Sequence, residues 1–264
     1  MTKKMPLIGL GTWKLNGAEC TRTIKKAIDI GYRHIDTAHV YNNHTDIAKG
    51  IKEIDRSELY ITSKIDPSQL KSDGKGIEDA IKTILKELDT DYLDLILLHA
   101  PDRRLPMNKI VEDMWKAKEN RMVHDVGVSN FTIHHLQDLF DAGLKTSYNQ
   151  VEYHPYLVQK KLLDFCNLNE VQLISYRSFG KGALLDDPDL LTLGKKYNKT
   201  SAQIILRWLY QQEIPSIPKA KDEDHLNENF DILDFDMITA EMDLISKLNR
   251  NERYATSERF DFNY

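Results

Sequence analysis

Apolar residues come in short runs separated by amphipathic stretches from one end of the chain to the other. Short apolar, β-branched runs bounded by turn signals read as buried strands. They fall at residues 7–10, 34–38, 59–65, 93–99, 123–128, 147–152, 172–176 and 215–218. Helical spacing of apolar positions covers 18–30, 45–53, 76–88, 109–119, 133–141, 159–166, a longer region 188–211, then 225–230 and 240–248. Strands alternating with helices predict an α/β chain with a parallel sheet, either closed into a barrel or open and doubly wound. Two features favour closure. No Pro/Gly/Ser-rich or strongly charged linker divides the chain, and polar residues recur at strand ends from the first third to the last. In a barrel all those ends meet at one rim, whereas an open sheet spreads them along an edge. The expected fold is a (β/α)8 TIM barrel forming a single domain over residues 1–264. The tail, 249–264, is polar and aromatic without a period and is expected to wrap over a surface or rim.

Composition, with 264 residues of which 41% are hydrophobic, allows a large core and suits one barrel domain as well as two smaller domains. The net charge of −5 and the dispersed basic residues leave no stripe for nucleic acid or a membrane surface, so a small-molecule partner is expected. No export signal or membrane span is expected, because no run reaches about 18 apolar residues. Cys20 and Cys166 lie far apart with no metal-finger spacing, which suits reduced thiols and a cytoplasmic location and leaves their reactivity open. A monomer is the default expectation.

The candidate chemistry centres on GYRHIDTAHVY, residues 31–41. Alternation along its strand puts His34, Asp36 and Ala38 on one face, and Tyr41 follows close to the strand's end. A partly buried carboxylate needs a cationic partner. The third strand offers one, since Tyr60, Thr62 and Lys64 share a face, and the fourth ends its apolar stripe in His99. A phenol with a pKa near 10 exchanges protons poorly at neutrality, but an ammonium beside it favours the phenolate. Lys64 next to Tyr41, held charged by Asp36, would make Tyr41 a general acid, and neutral His99 would donate to the same substrate oxygen. Singly, each has a plainer reading: a packed aromatic, a snorkelling lysine, a capping aspartate. Four strand-end residues in successive β/α units favour a chemical set.

A general acid of this kind needs a hydride donor. GLGTWK at 9–14 lacks the third glycine of the Rossmann fingerprint and is discounted as one. Later strand ends carry Ser129, Asn130, Gln150 and Tyr176, the last able to stack on a nicotinamide. Lys219 and Lys221 precede a helix start that suits phosphate. Their plain readings are a helix cap, a strand-edge amide, a core ring and a solvated charge run.

These residues resemble the aldo/keto reductase family over nearly the whole chain, through GLGTWK, GYRHIDTAHVY, TSK, DYLDLILLHAP, VGVSNF, NQVEYHPYL, GALLDDP and IPK through ENFDILDF. The short loop after His99 and the short tail are similar to bacterial 2,5-diketogluconate reductase-like members. The resemblance implies a barrel that binds NADP(H) at its C-terminal rim and reduces aldehyde or ketone carbonyls. It implies a catalytic tetrad of Asp36, Tyr41, Lys64 and His99. Cofactor contacts would fall on Thr12, Trp13, Ser129, Asn130, Gln150, Tyr176, Phe179, Gly180, Lys219, Lys221, His225, Glu228 and Asn229.

Departures from the family pattern bear on specificity. Ala220 replaces the usual Ser after the phosphate-site lysine, and His225 stands where Arg is expected, so NADPH preference should narrow and leave room for appreciable NAD(H) use. Arg177-Ser178-Phe179 replaces the usual segment after the stacking tyrosine. Asp66 and Ala100 occupy positions that often hold Trp, so with Trp13 they imply a wider, more polar substrate pocket. Two other classes stay open: a barrel metallohydrolase using His34, Asp36, His39 and His99 with Lys64, and a non-enzymatic cofactor-binding sensor or accessory subunit on the same barrel.

Overall fold

Seven strands lie side by side in chain order, each parallel to the one before it, in the computed structural model, which describes residues 3–256 and 260–264. They are β1 (Leu10–Gly11), β2 (His34–Asp36), β3 (Tyr60–Ile65), β4 (Leu93–Leu98), β5 (Val123–Ser129), β6 (Tyr148–Glu152) and β7 (Gln172–Tyr176). The eighth position closes the barrel without becoming a regular strand. Ser216 forms parallel bridges to both Ile8 and Ser175. Its N–H donates to Leu7 O at 2.9 Å, and the N–H of Ser175 donates to Pro215 O at 2.8 Å. Pro215 and Pro218 have no N–H to offer a neighbour, so the ladder stops after a few bonds. Glycine permits the tight seam on the other side: a Cβ on Gly11 would stand 2.5 Å from the Ile217 carbonyl oxygen.

Helices α1 (Gly17–Ile30), α2 (His44–Ile51), α3 (Ile77–Leu88), α4 (Met107–Glu119), α5 (Ile133–Asp141) and α6 (Lys160–Leu168) alternate with the strands. They are followed by α7 (Pro188–Tyr197), α8 (Ser201–Gln211), α9 (Glu223–Phe230) and α10 (Thr239–Lys247). The region predicted as one helical stretch at 188–211 is two helices. Asn198 turns left-handed at φ 54°, and Thr200 restarts the chain with a capping box that uses Gln203.

Alternation along the strands builds two apolar layers. Ile35, Ile61, Ile65, Ile96 and Val126 face the helices and join Ile24, Ile81, Met114 and Trp208 in one core. Met5, Tyr60, Leu95, Leu97 and Ile174 form a second, smaller cluster inside the barrel. Continuing the same inward face along β2 and β3 replaces apolar side chains by Asp36 and Lys64, which are buried. The barrel interior is therefore filled at one end and polar at the other. The tail lies against the rim as expected: Tyr254 N and Ala255 N donate to the Glu152 carboxylate at 2.7 and 2.6 Å, and Arg103 reaches Asp261 at 2.6 Å. Its residues 257–259 fall outside the described residues. No helix among the described residues is long and apolar enough to cross a membrane.

His34 ties stability to pH. It is fully buried with Nε2 at 3.1 Å from Thr62 Oγ1, and burial pushes its pKa down to about 4. Between that value and an unfolded value near 6.5 the unfolded chain binds the extra proton. Stability should therefore fall as the pH drops through this window, by about 3 kcal/mol at its end from this side chain. Urea midpoints at pH 7.5 and 4.5 should converge in His34→Gln relative to wild type. An undiminished acid loss in the variant would rule His34 out as its source.

Candidate active site

Tyr41 reaches the rim on a short 3-10 turn (His39–Tyr41) that begins where β2 ends. Asn43 pins this segment to the loop after β1: it accepts from Thr37 Oγ1 at 2.7 Å and donates to Thr12 O and Leu15 O, both at 3.0 Å. The Tyr41 ring is thus carried by a fastened turn rather than a free loop.

Lys64 sits beneath it, 1% exposed, with Nζ paired to Asp36 Oδ1 and donating to Thr37 O at 2.8 Å. Gln150 Nε2 donates to the other carboxylate oxygen of Asp36 at 2.7 Å, so both oxygens of this buried anion are engaged. Burial pushes the Lys64 ammonium below its ordinary range, and the Asp36 charge opposes that. Nζ lies 5.5 Å from the Tyr41 ring centre. The His99 ring stands nearly perpendicular to that of Tyr41, 5.9 Å away between centres. The four residues predicted as a set are brought together.

The neighbouring strand ends form an amide-rich wall. Asn130, left-handed at φ 63°, donates from Nδ2 to His99 O at 2.9 Å and accepts from the Tyr176 hydroxyl at 2.5 Å. Ser129 Oγ donates to Gln150 O at 2.8 Å. Thr12, Trp13, Tyr41, His99, Ser129, Asn130, Gln150, Tyr176, Phe179 and Lys219 all line one cavity of about 630 Å³. Phe179 and Lys219 also line a second cavity, of about 710 Å³, with His225, Glu228 and Asn229. The residues present suit a dinucleotide: aromatic rings and amide groups in the first cavity, a lysine on both linings, and polar side chains in the second.

Four predicted cofactor or pocket positions line neither cavity. Asp66 accepts from Ser68 N at 3.1 Å in capping the turn Pro67–Gln69, and both it and Ala100 are buried outside the cavity lining. The polarity expected from Asp66 comes instead from Arg177 and Lys181, which do line the cavity. Gly180, at φ 52°, packs behind the wall on Leu184 and Tyr254. Lys221 lines neither cavity: it is exposed, and its ammonium approaches Glu19 at 4.0 Å. His225 is also exposed, paired with Asp222 at 2.8 Å, and that carboxylate raises its pKa.

Sequence reasoning missed Val40, Lys181 and Phe260 as lining residues. Phe260 comes from the tail, where no periodicity announces a face. Cys20 and Cys166 are buried, and burial pushes both thiols up to about 12, which removes their nucleophilic form near neutrality. The histidines of the metallohydrolase reading disperse: His34 turns to Thr62, and His39 approaches Glu87 at 4.0 Å. Among the described residues no group of three or more His, Cys, Asp or Glu could hold a metal ion.

Comparison with known proteins agrees with this geometry. Residues 7–250 match the model of the aldo/keto reductase family. The chain is 41% identical over 261 residues to a glyoxal reductase of Bacillus subtilis (strain 168), covering 95% of this chain and 91% of that protein. Its fold superimposes on an aldo-keto reductase enzyme from a Medee basin deep-sea metagenome library with a TM-score of 0.91 at 33% identity, covering 98% and 96% of the two chains. A Bombyx mori aldo-keto reductase in complex with NADP gives a TM-score of 0.87 at 29% identity, covering 95% and 91%. The chain belongs to the aldo/keto reductase family, and it is an oxidoreductase of carbonyl compounds built on a (β/α)8 barrel.

Proposed function

We propose that this protein is an NADP(H)-dependent reductase of aldehyde and ketone carbonyls in which Tyr41 is the general acid. The observation that carries this is the buried Lys64–Asp36 pair, with its ammonium 5.5 Å from the Tyr41 ring centre in a cavity shared with His99. A bound nicotinamide supplies the hydride. Everything else falls to the chain. Lys64 stabilises the phenolate that proton donation leaves behind, and Asp36, fixed by Gln150, keeps that cation in place. His99 donates to the carbonyl oxygen as charge develops there. Tyr176 offers a flat ring to the nicotinamide, while Ser129, Asn130 and Gln150 meet its carboxamide. The name of the B. subtilis relative makes small dicarbonyls the first substrates to try. We place the enzyme in the cytoplasm as a monomer.

The test is a carbonyl panel, headed by glyoxal and methylglyoxal, run with NADPH and NADH and read as cofactor oxidation. Turnover of reactive carbonyls is expected. Cofactor binding without turnover of any of them would instead favour the sensor reading.

Cofactor choice should rest on Lys219 with weak help from His225. A guanidinium at that position is always charged and binds phosphate with two donors. His225→Arg should therefore raise the NADPH over NADH affinity ratio by roughly tenfold, read by fluorescence quenching. In wild type NADPH should keep a modest advantage, and KM values showing NADH used equally well or better would refute it.

A further inference from the structure

The rim beside Tyr176 carries a cation with unspent hydrogen-bond donors. Arg177 follows β7 in a left-handed conformation, φ 53°, and lines the cavity. Its guanidinium carbon lies 6.0 Å from the Tyr176 ring centre and 5.9 Å from that of Trp13, so it sits between the loops that follow β7 and β1. Its nearest counter-ion is Glu152, whose Oε2 stands 3.9 Å from Nη1, beyond hydrogen-bond reach. Glu152 cannot come closer without giving up other partners. It is fully buried, with Oε1 accepting from His154 at 3.0 Å and Tyr254 N at 2.7 Å, and Oε2 from Ala255 N at 2.6 Å. Among the described residues Nη1 is buried without a hydrogen-bond partner.

Glu152 therefore holds the Arg177 charge at the rim without consuming its donors. The charged side chains lining the cavity are Asp36, Arg177, Lys181 and Lys219, and Asp36 is neutralised by Lys64. The remainder is cationic. Nη1 is closed off on the Glu152 side, so a ligand in the cavity would meet the other edge of the guanidinium, Nε and Nη2, whose two parallel donors match the paired oxygens of a carboxylate or phosphate.

We propose that Arg177 is a specificity-determining residue that binds an oxyanion on the carbonyl substrate, so that the preferred substrates are aldehydes or ketones carrying a carboxylate or phosphate. This rests on the reductase reading above. The pyrophosphate of a dinucleotide has the same oxyanion chemistry, but the residues common to both cavity linings are Phe179 and Lys219, and Arg177 is on only one of them. Arg177 instead faces Trp13 and Tyr176 in the chamber that holds Tyr41 and His99.

Two aldehydes of similar size test it: succinic semialdehyde, which is anionic, and butyraldehyde, which is neutral. Wild type should favour the anionic one in kcat/KM. Arg177→Gln should lose about ten- to a hundredfold on succinic semialdehyde, mostly through KM, and change little on butyraldehyde. Arg177→Lys should restore part of the loss. The NADPH dissociation constant, read by fluorescence quenching, should not move. Equal losses on both aldehydes with weakened NADPH binding would assign Arg177 to the pyrophosphate and overturn the proposal, as would a variant indistinguishable from wild type. A wild type that reduces neither aldehyde while turning over other carbonyls of the panel would also overturn the proposal, whereas one that turns over none of them would bring down the reductase reading, and this inference with it.

Discussion

Tyr41→Phe is expected to lower carbonyl turnover by roughly a thousandfold or more while leaving NADPH affinity within about twofold, since a positioned general acid contributes about 10²- to 10⁴-fold. The substitution removes one oxygen. The turn that carries the ring is fastened through backbone and Asn43 contacts that the phenylalanine keeps, so the fold and the cavity should survive. The loss should appear in kcat and kcat/KM together, the mark of an interaction made in the transition state. A variant that keeps a tenth of wild-type turnover would show that another group, His99 or a water, delivers the proton.

Lys64→Met should be costly in a different way. It removes the ammonium that offsets a carboxylate only 2% exposed, and stranding one member of a buried pair costs about 3–5 kcal/mol. For a chain of this size that is roughly a 10 °C fall in Tm. The double variant Lys64→Met with Asp36→Leu should recover much of the stability, because neither charge is left buried, yet should stay inactive. Turnover lost in both and stability lost chiefly in the single variant would separate the two roles of this lysine. A single variant as stable as wild type would mean that water reaches Asp36 and that the pair is less isolated than its burial implies.

The convergence of Asp36, Tyr41, Lys64 and His99 was legible because each ends a strand or follows one closely, and in a closed barrel strand ends have nowhere to go but one rim. Asp36, Lys64 and His99 could be placed from alternation alone. The closing eighth segment was legible as a short stretch, Ser216-Ile217, between prolines, but those prolines also deprive it of the donors that would make it a strand. Asn198 and Thr200 break 188–211 by backbone chemistry, a left-handed residue and a cap, that a count of apolar positions does not register. Asp66 and Ala100, expected in the pocket, do not line the cavity. Asp66 Oδ1 caps its own turn while Oδ2 stands 3.7 Å from His99 Nδ1, so this carboxylate lies behind the site rather than on the cavity lining. Phe260 and Arg177 were the hardest to read. The first arrives on an aperiodic tail, and the second is informative only once Glu152 is seen committed to the backbone of that tail.

The most direct measurement follows the transferred atom. NADPH deuterated at the nicotinamide C4 position that donates should be mixed with enzyme and benzaldehyde in ordinary water, and the benzyl alcohol examined by NMR. Deuterium is expected on the carbinol carbon, from one of the two C4 positions only, with the hydroxyl proton drawn from solvent through Tyr41. Alcohol formed without deuterium at that carbon would contradict direct transfer between a bound nicotinamide and a carbonyl held at Tyr41.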